Sequence, residues 1–223
     1  PEELSLFGSG VMLVFADGAH VAQAPVEDAA PLLVKLLQAG RVSMDDAKAS
    51  VEKLRKLAGQ GAFDAALIEQ LLDALTDATT ASDDDAPRLF DCALAAYLLD
   101  SSRSKYLVED LASERLGVSA PQGDDAPSAG VFAAAAARAL VEPLTKALEE
   151  DGSLTLLRQI ELPLMAVLAR MEYVGCNLDV DVLKTMSAEL GDHIDALKAE
   201  VFELAGEEFN INSPKQLGVI LFE

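Results

Sequence analysis

Five polar residues crowd one short stretch near the end of the 223-residue chain: Asn210, Asn212, Ser213, Lys215 and Gln216, within FNINSPKQLGVILFE. Ser followed by Pro predicts a helix start, because Ser caps free backbone N–H groups and Pro has no N–H to leave unpaired at the first helical position. A helix beginning there presents N–H donors and a partial positive charge, which together can grip a phosphate. The structural reading of the same residues is simpler: Ser213 is a cap, and Asn210 and Asn212 satisfy a turn. Other residue types with chemical potential lack the company that chemistry needs. His20 and His193 have no Cys or His at ligand spacing, which argues against a metal site. Cys92 and Cys176 lie far apart among apolar residues and read as small packed side chains rather than a disulfide or a nucleophile. Carboxylates gather at 83–85, 124–125, 149–151 and 207–208, but adjacent acids in a loop do not converge on a cation, and like-charge runs usually mark solvated segments. No glycine-rich phosphate loop occurs.

Composition bounds what the chain can do as a whole. The net charge is −21, so the body of the protein repels phosphate backbones and should not bind nucleic acid across its whole face. With 51% hydrophobic residues there is material for one or two domains with a real core. No apolar run approaches the roughly 20 residues needed to span a bilayer.

The elements that must position these residues fall into two styles. Residues 1 to about 45 predict strands and one helix. VMLVFA (11–16) reads as a buried strand, Asp17 and Gly18 as a turn, and HVAQA (20–24) as the returning strand of a hairpin. A helix is expected over 31–38, closed by Gly40, with a short strand at 42–44. Helices then dominate: one capped by Asp45 or Asp46 and running to Ala58, an amphipathic one over 62–78, and an acidic linker from Thr79 to Pro87. A short strand at 89–91 feeds a helix over 93–99, and Ser104 is expected to start the next, around 107–116. A loop is expected over 118–129, a helix over 130–150, and another over 154–174 kinked at Pro163. A long helix from Asp181 to about Ala205 precedes the Ser213 start.

Several stretches resemble the family A DNA polymerases, the bacterial DNA polymerase I type. IELPLMAVLARMEYVGCNLDVDVLKTMSAEL (160–190) looks like the family's junction, in which E-x-P-L and M-E-x-x-G lead into the long thumb helix. AGEEFNINSPKQLGVILFE (205–223) is similar to the segment that follows it, and LFDCALAAYLLDSSRSKYLVEDLASERLG (89–117) resembles a stretch of the preceding 3′–5′ exonuclease domain. The resemblance covers most of 42–223. It implies an α/β fold: a ribonuclease H-like exonuclease domain over 1–150, its mixed sheet flanked by helices, then an all-helical thumb-base segment over 151–223. Residues from about 58 to 87 are an insertion relative to active members, and their polar flanks suggest a surface addition.

The resemblance also identifies where chemistry has been lost. Active exonuclease domains of this kind hold two divalent metals with carboxylates from three motifs. The nearest strand for the first motif, Leu4 to Phe7, has no carboxylate. The second motif, N-x-K-x-D, aligns with Asp46 to Ser50, putting Asp46 at the asparagine and Ser50 at the metal-binding aspartate. The third, Y-x-x-x-D, aligns with Phe132 to Ala136, putting Phe132 at the tyrosine and Ala136 at the aspartate. The expectation is an inactive exonuclease scaffold with no metal or catalytic residue of its own. The palm motifs of the polymerase are also absent from the sequence, so the chain alone is expected to be inactive as polymerase and as exonuclease, and reads as an excised piece of a nucleotidyltransferase. The parent is expected to use Mg²⁺, primer–template DNA and deoxynucleotides in the bacterial cytoplasm. The piece itself is expected to be a monomer with no membrane association. In the family, polar residues near Asn210, Asn212, Ser213, Lys215 and Gln216 approach the DNA backbone. The reading set against all this is an acidic helical interaction module unrelated to polymerases.

Overall fold

The computed structural model describes residues 12–16, 20–80, 87–121 and 126–222. It is mostly helical with a small amount of sheet, and it divides into two compact units, Pro1–Gly175 and Cys176–Glu223. The acidic runs at 83–85 and 124–125, the Asp17–Gly18 turn and the strand expected at 4–7 lie outside the described residues.

The first unit opens with a hairpin of β1 (Met12–Ala16) and β2 (Val21–Pro25), paired antiparallel with Ala16 opposite Val21. Helix α1 (Val26–Ala39) begins five residues earlier than the pattern 31–38 predicts. Pro31 therefore sits inside the helix, on its exposed side, where the cost is one missing N–H. Gly40 ends α1, its N–H donating to Leu36 O at 2.8 Å.

Strand β3 (Val42–Met44) and strand β4 (Leu89–Asp91) pair in parallel, Met44 opposite Asp91. Between them run α2 (Ala47–Gly59) and α3 (Ala66–Thr79). Among the described residues the strands thus form two separate two-stranded sheets, not the single mixed sheet expected. Parallel pairing needs a long crossover to bring the second strand back beside the first, and α2 with α3 supplies it.

Helix α3 corrects the insertion reading. Ile68, Leu71, Leu72, Ala74, Leu75 and Ala78 are all at most 3% exposed. The helix packs against α1, against α2 and against a later helix, α9 (Leu162–Val174). Its amphipathic face is therefore a wall of the core, and only its polar face is surface. Burying four large aliphatic side chains, at about 1.5–3 kcal/mol each, outweighs anything the polar flanks suggest.

Helices α4 (Cys92–Leu99), α5 (Val108–Leu116), α6 (Ala126–Ala139) and α7 (Val141–Asp151) follow. The structure carries α6 back into the expected loop over 118–129 and breaks the helix expected over 130–150 at Leu140, which is fully buried between α6 and α7. Ser104 does not cap α5; Leu107 precedes its first turn without a side-chain hydrogen bond. The helix expected over 154–174 is a short α8 (Leu154–Leu156), a π-helical turn (Leu157–Glu161) and then α9. Pro163 sits in the first turn of α9 and cannot donate to the carbonyl four residues back, so the chain before it is free to widen. Leu157, Leu162, Met165, Ala166 and Ala169 are buried in the first unit's core, which is why that unit runs to Gly175 although the resemblance draws its division at 150/151. Gly175 has φ 69° and ψ −168°, backbone open only to glycine, and its N–H closes α9 on Met171 O.

The second unit consists of α10 (Val180–Ala205) and α11 (Pro214–Phe222). Asp179, not Asp181, caps α10, accepting from the Val182 N–H at 3.1 Å. Phe202 and Phe209 meet edge to face with centroids 5.9 Å apart. No described helix is long and apolar enough by itself to cross a membrane.

The two thiols differ sharply in setting. Cys92 is fully buried and bonded to Ala137 O at 3.4 Å, and burial pushes its pKa well above the usual thiol range; Cys176 is exposed. Ellman's reagent should therefore titrate one thiol per native chain rapidly and the second only on unfolding. Two fast thiols in the native state would contradict the packing of α4 against α6.

Candidate nucleic-acid interface

The N-terminus of α11 is built from its own side chains. Asn210 Oδ1 accepts from the Asn212 N–H at 3.0 Å, and Gln216 Oε1 accepts from the Asn210 N–H at 2.7 Å. The Ser213 N–H donates to Asn210 O at 2.9 Å, and Ser213 Oγ accepts from the Gln216 N–H at a long 3.4 Å. Ser213 and Gln216 thus stand as in a capping box, except that the glutamine reaches back to Asn210 rather than to the cap residue. Pro214 has no N–H, so the donor left at this helix start is that of Lys215. The Asn212 and Lys215 side chains are exposed and make no hydrogen bond or ion pair among the described residues. The structure therefore divides the five residues: Asn210, Ser213 and Gln216 hold the turn, while Asn212 and Lys215 face outward.

The positions aligned with the exonuclease motifs lie on two helices of the first unit. Asp46 is the N-cap of α2, its Oδ1 accepting from the Ala49 N–H at 2.8 Å. Ser50, one turn on, is half-buried and donates its backbone N–H to Asp46 O at 3.1 Å. Phe132 and Ala136 lie one turn apart on α6; Phe132 is half-buried against the core and Ala136 is 5% exposed. These residues do not suit a pair of divalent cations. The one carboxylate is engaged as a helix cap, the serine is a weak neutral ligand, and the alanine is core. Among the described residues no three His, Cys, Asp or Glu side chains converge to hold a metal ion.

Reasoning from sequence missed one residue. Asp91, at the end of β4, is 2% exposed, and both carboxylate oxygens accept backbone hydrogen bonds. Oδ1 accepts from the Leu94 N–H at 2.8 Å, and Oδ2 from the Ala47 N–H at 2.7 Å. Burial raises its pKa to about 7, against the two N–H bonds, and the charges of Asp46 and Asp45 push the same way as burial. A strand ending in Asp before a helix signals the α4 cap, but no local pattern signals the bond to α2.

The class that this architecture and helix start define is a polymerase-domain segment. The structure matches the POL domain of Pol1 from M. smegmatis in complex with DNA primer-template and dNTP, with a TM-score of 0.55 and 32% identity, covering 60% of this chain and 23% of that one. No family model matches the chain. The particular proteins it is similar to are bacterial DNA polymerase I. DNA polymerase I of Bacillus subtilis is 39% identical over 150 residues, 60% of this chain. That of Streptococcus pneumoniae serotype 4 is 52% identical over 80 residues, 36% of this chain. The chain spans 17% of the length of the Bacillus relative and 9% of the streptococcal one.

Proposed function

We propose that this chain is part of a DNA-directed DNA polymerase of the family A type, contributing a ribonuclease H-like exonuclease scaffold without nuclease chemistry and the base of the thumb. The observation that carries this reading is the 39% identity to DNA polymerase I over 60% of the chain. The match to a polymerase domain whose description includes primer-template DNA supports it. An acidic interaction module unrelated to polymerases gains no support from either similarity. In this reading the parent works with Mg²⁺ and deoxynucleotides in the bacterial cytoplasm. The carboxylates that hold catalytic metal lie outside this chain, because the palm motifs do not occur in it.

The part of this chain offered to DNA is the α11 start, with Lys215 and Asn212 as the outward side chains and Asn210, Ser213 and Gln216 as their support. The rest of the surface argues for a local contact. With net charge −21 and 17 Lys and Arg over 223 residues, the isolated chain should have negligible DNA affinity at physiological salt. In the full-length polymerase, Lys215→Ala should weaken primer–template binding and reduce the salt slope by about one unit, with no change of sequence preference, because a phosphate contact carries no base information. Equilibrium binding across a salt series measures both quantities. An unchanged affinity and slope would leave the α11 start as a structural turn only.

A further inference from the structure

Asp91 occupies a corner that neither the exonuclease positions nor the α11 start uses. Two helices 44 residues apart in sequence, α2 and α4, begin on the same carboxylate. The backbone reinforces the joint: the Ala93 N–H donates to Asp45 O at 2.9 Å, and β3 runs parallel to β4 with Met44 opposite Asp91. The titratable groups facing Asp91 are Asp45 and Asp46 at the β3–α2 junction and Cys92 at the start of α4. Behind α4, α6 presents the backbone carbonyl of Ala137, bonded to Cys92. Asp91 has no Lys, Arg or His partner among the described residues. An ionised Asp91 is therefore a buried negative charge beside two other acids, compensated only by two backbone N–H groups and two helix dipoles.

We propose that Asp91 is a proton-operated clamp that holds the starts of α2 and α4 together when protonated and loosens that joint when ionised. Its pKa of about 7 places the change near neutrality. The sign follows from the folded value lying above the ordinary 3.8: the stabilisation is full below the ordinary value and is lost as pH rises through about 7. The joint reaches further than the corner, because α2 is tied to α9 by Lys48 and Glu172 at 2.7 Å. Loosening the start of α2 thus relaxes the helix that carries Asp46 and Ser50 and its link to α9.

The test uses the whole chain. Carboxyl ¹³C NMR should find one aspartate titrating near neutral pH, and Asp91→Asn should remove that signal. Amide exchange, corrected for intrinsic rates, should show protection at Ala47 and Leu94 falling between pH 5 and 7, by up to about tenfold per pH unit, the limit for one proton. In Asp91→Asn the slope at both amides should disappear. An Asp91 carboxyl titrating below pH 5, or protection at Ala47 and Leu94 independent of pH in the native chain, would overturn the proposal. If the Asn variant does not fold, the titration of the unaltered chain decides the question.

Discussion

Leu72→Ala should lower the stability of the first unit by about 3 kcal/mol, within the range of about 2–5 kcal/mol for such truncations in a core. Leu72 is 1% exposed in the face that α3 presents to its neighbours, so the substitution removes buried surface and leaves a cavity that surrounding helices fill only in part. Gln70→Ala, on the exposed side of the same helix, is the control and should change stability by less than about 0.5 kcal/mol. Urea unfolding followed by far-ultraviolet circular dichroism measures both. A Leu72→Ala midpoint matching that of Gln70→Ala would mean that α3 is a surface appendage after all. The expected gap between the two variants is large because the same helix has one face in the core and one in water.

Restoring carboxylates to the exonuclease-aligned positions should divide them just as sharply. Ser50→Asp adds an acid in the first turns of α2, near the positive end of the helix dipole, and should be nearly neutral in stability. Ala136→Asp should cost about 3 kcal/mol or more, because it places a larger, ionisable side chain at a position 5% exposed and within the core. The penalty should deepen with pH: the introduced acid has a raised folded pKa, so it is tolerated best while neutral and worst once pH exceeds that value. Unfolding at pH 5 and pH 8, with and without Mn²⁺, reads out all three effects. Neither the double variant nor the unaltered chain should be stabilised by millimolar Mn²⁺ or cleave single-stranded DNA. Saturable stabilisation of the double variant by Mn²⁺ would show that the two positions still frame a metal cleft and would defeat the scaffold reading of this domain.

Several local features were legible in the residues. The Asp46 cap of α2, the start of α11 at Ser213 and Pro214, the hairpin of β1 and β2, and the strand at 89–91 feeding α4 all follow from interactions a few residues long. Caps, turns and alternation act through neighbours in sequence, so composition and spacing specify them. The resemblance to DNA polymerase I was equally legible, because it rests on ordered motifs rather than on contacts. What the tertiary structure alone decided involves partners far apart in the chain. Amphipathic periodicity in 62–78 told of an apolar face but not of what would cover it; α1, α2 and α9 do, and the helix became core. The same packing drew α9 into the first unit. At the α11 start, spacing could not say which of Asn210, Asn212, Ser213, Lys215 and Gln216 would be spent on the turn and which would face solvent. Asp91 is the clearest case. Its role at α4 is local and was open to inference, but its bond to Ala47 exists only because β3 lies parallel to β4, a pairing that local pattern does not encode.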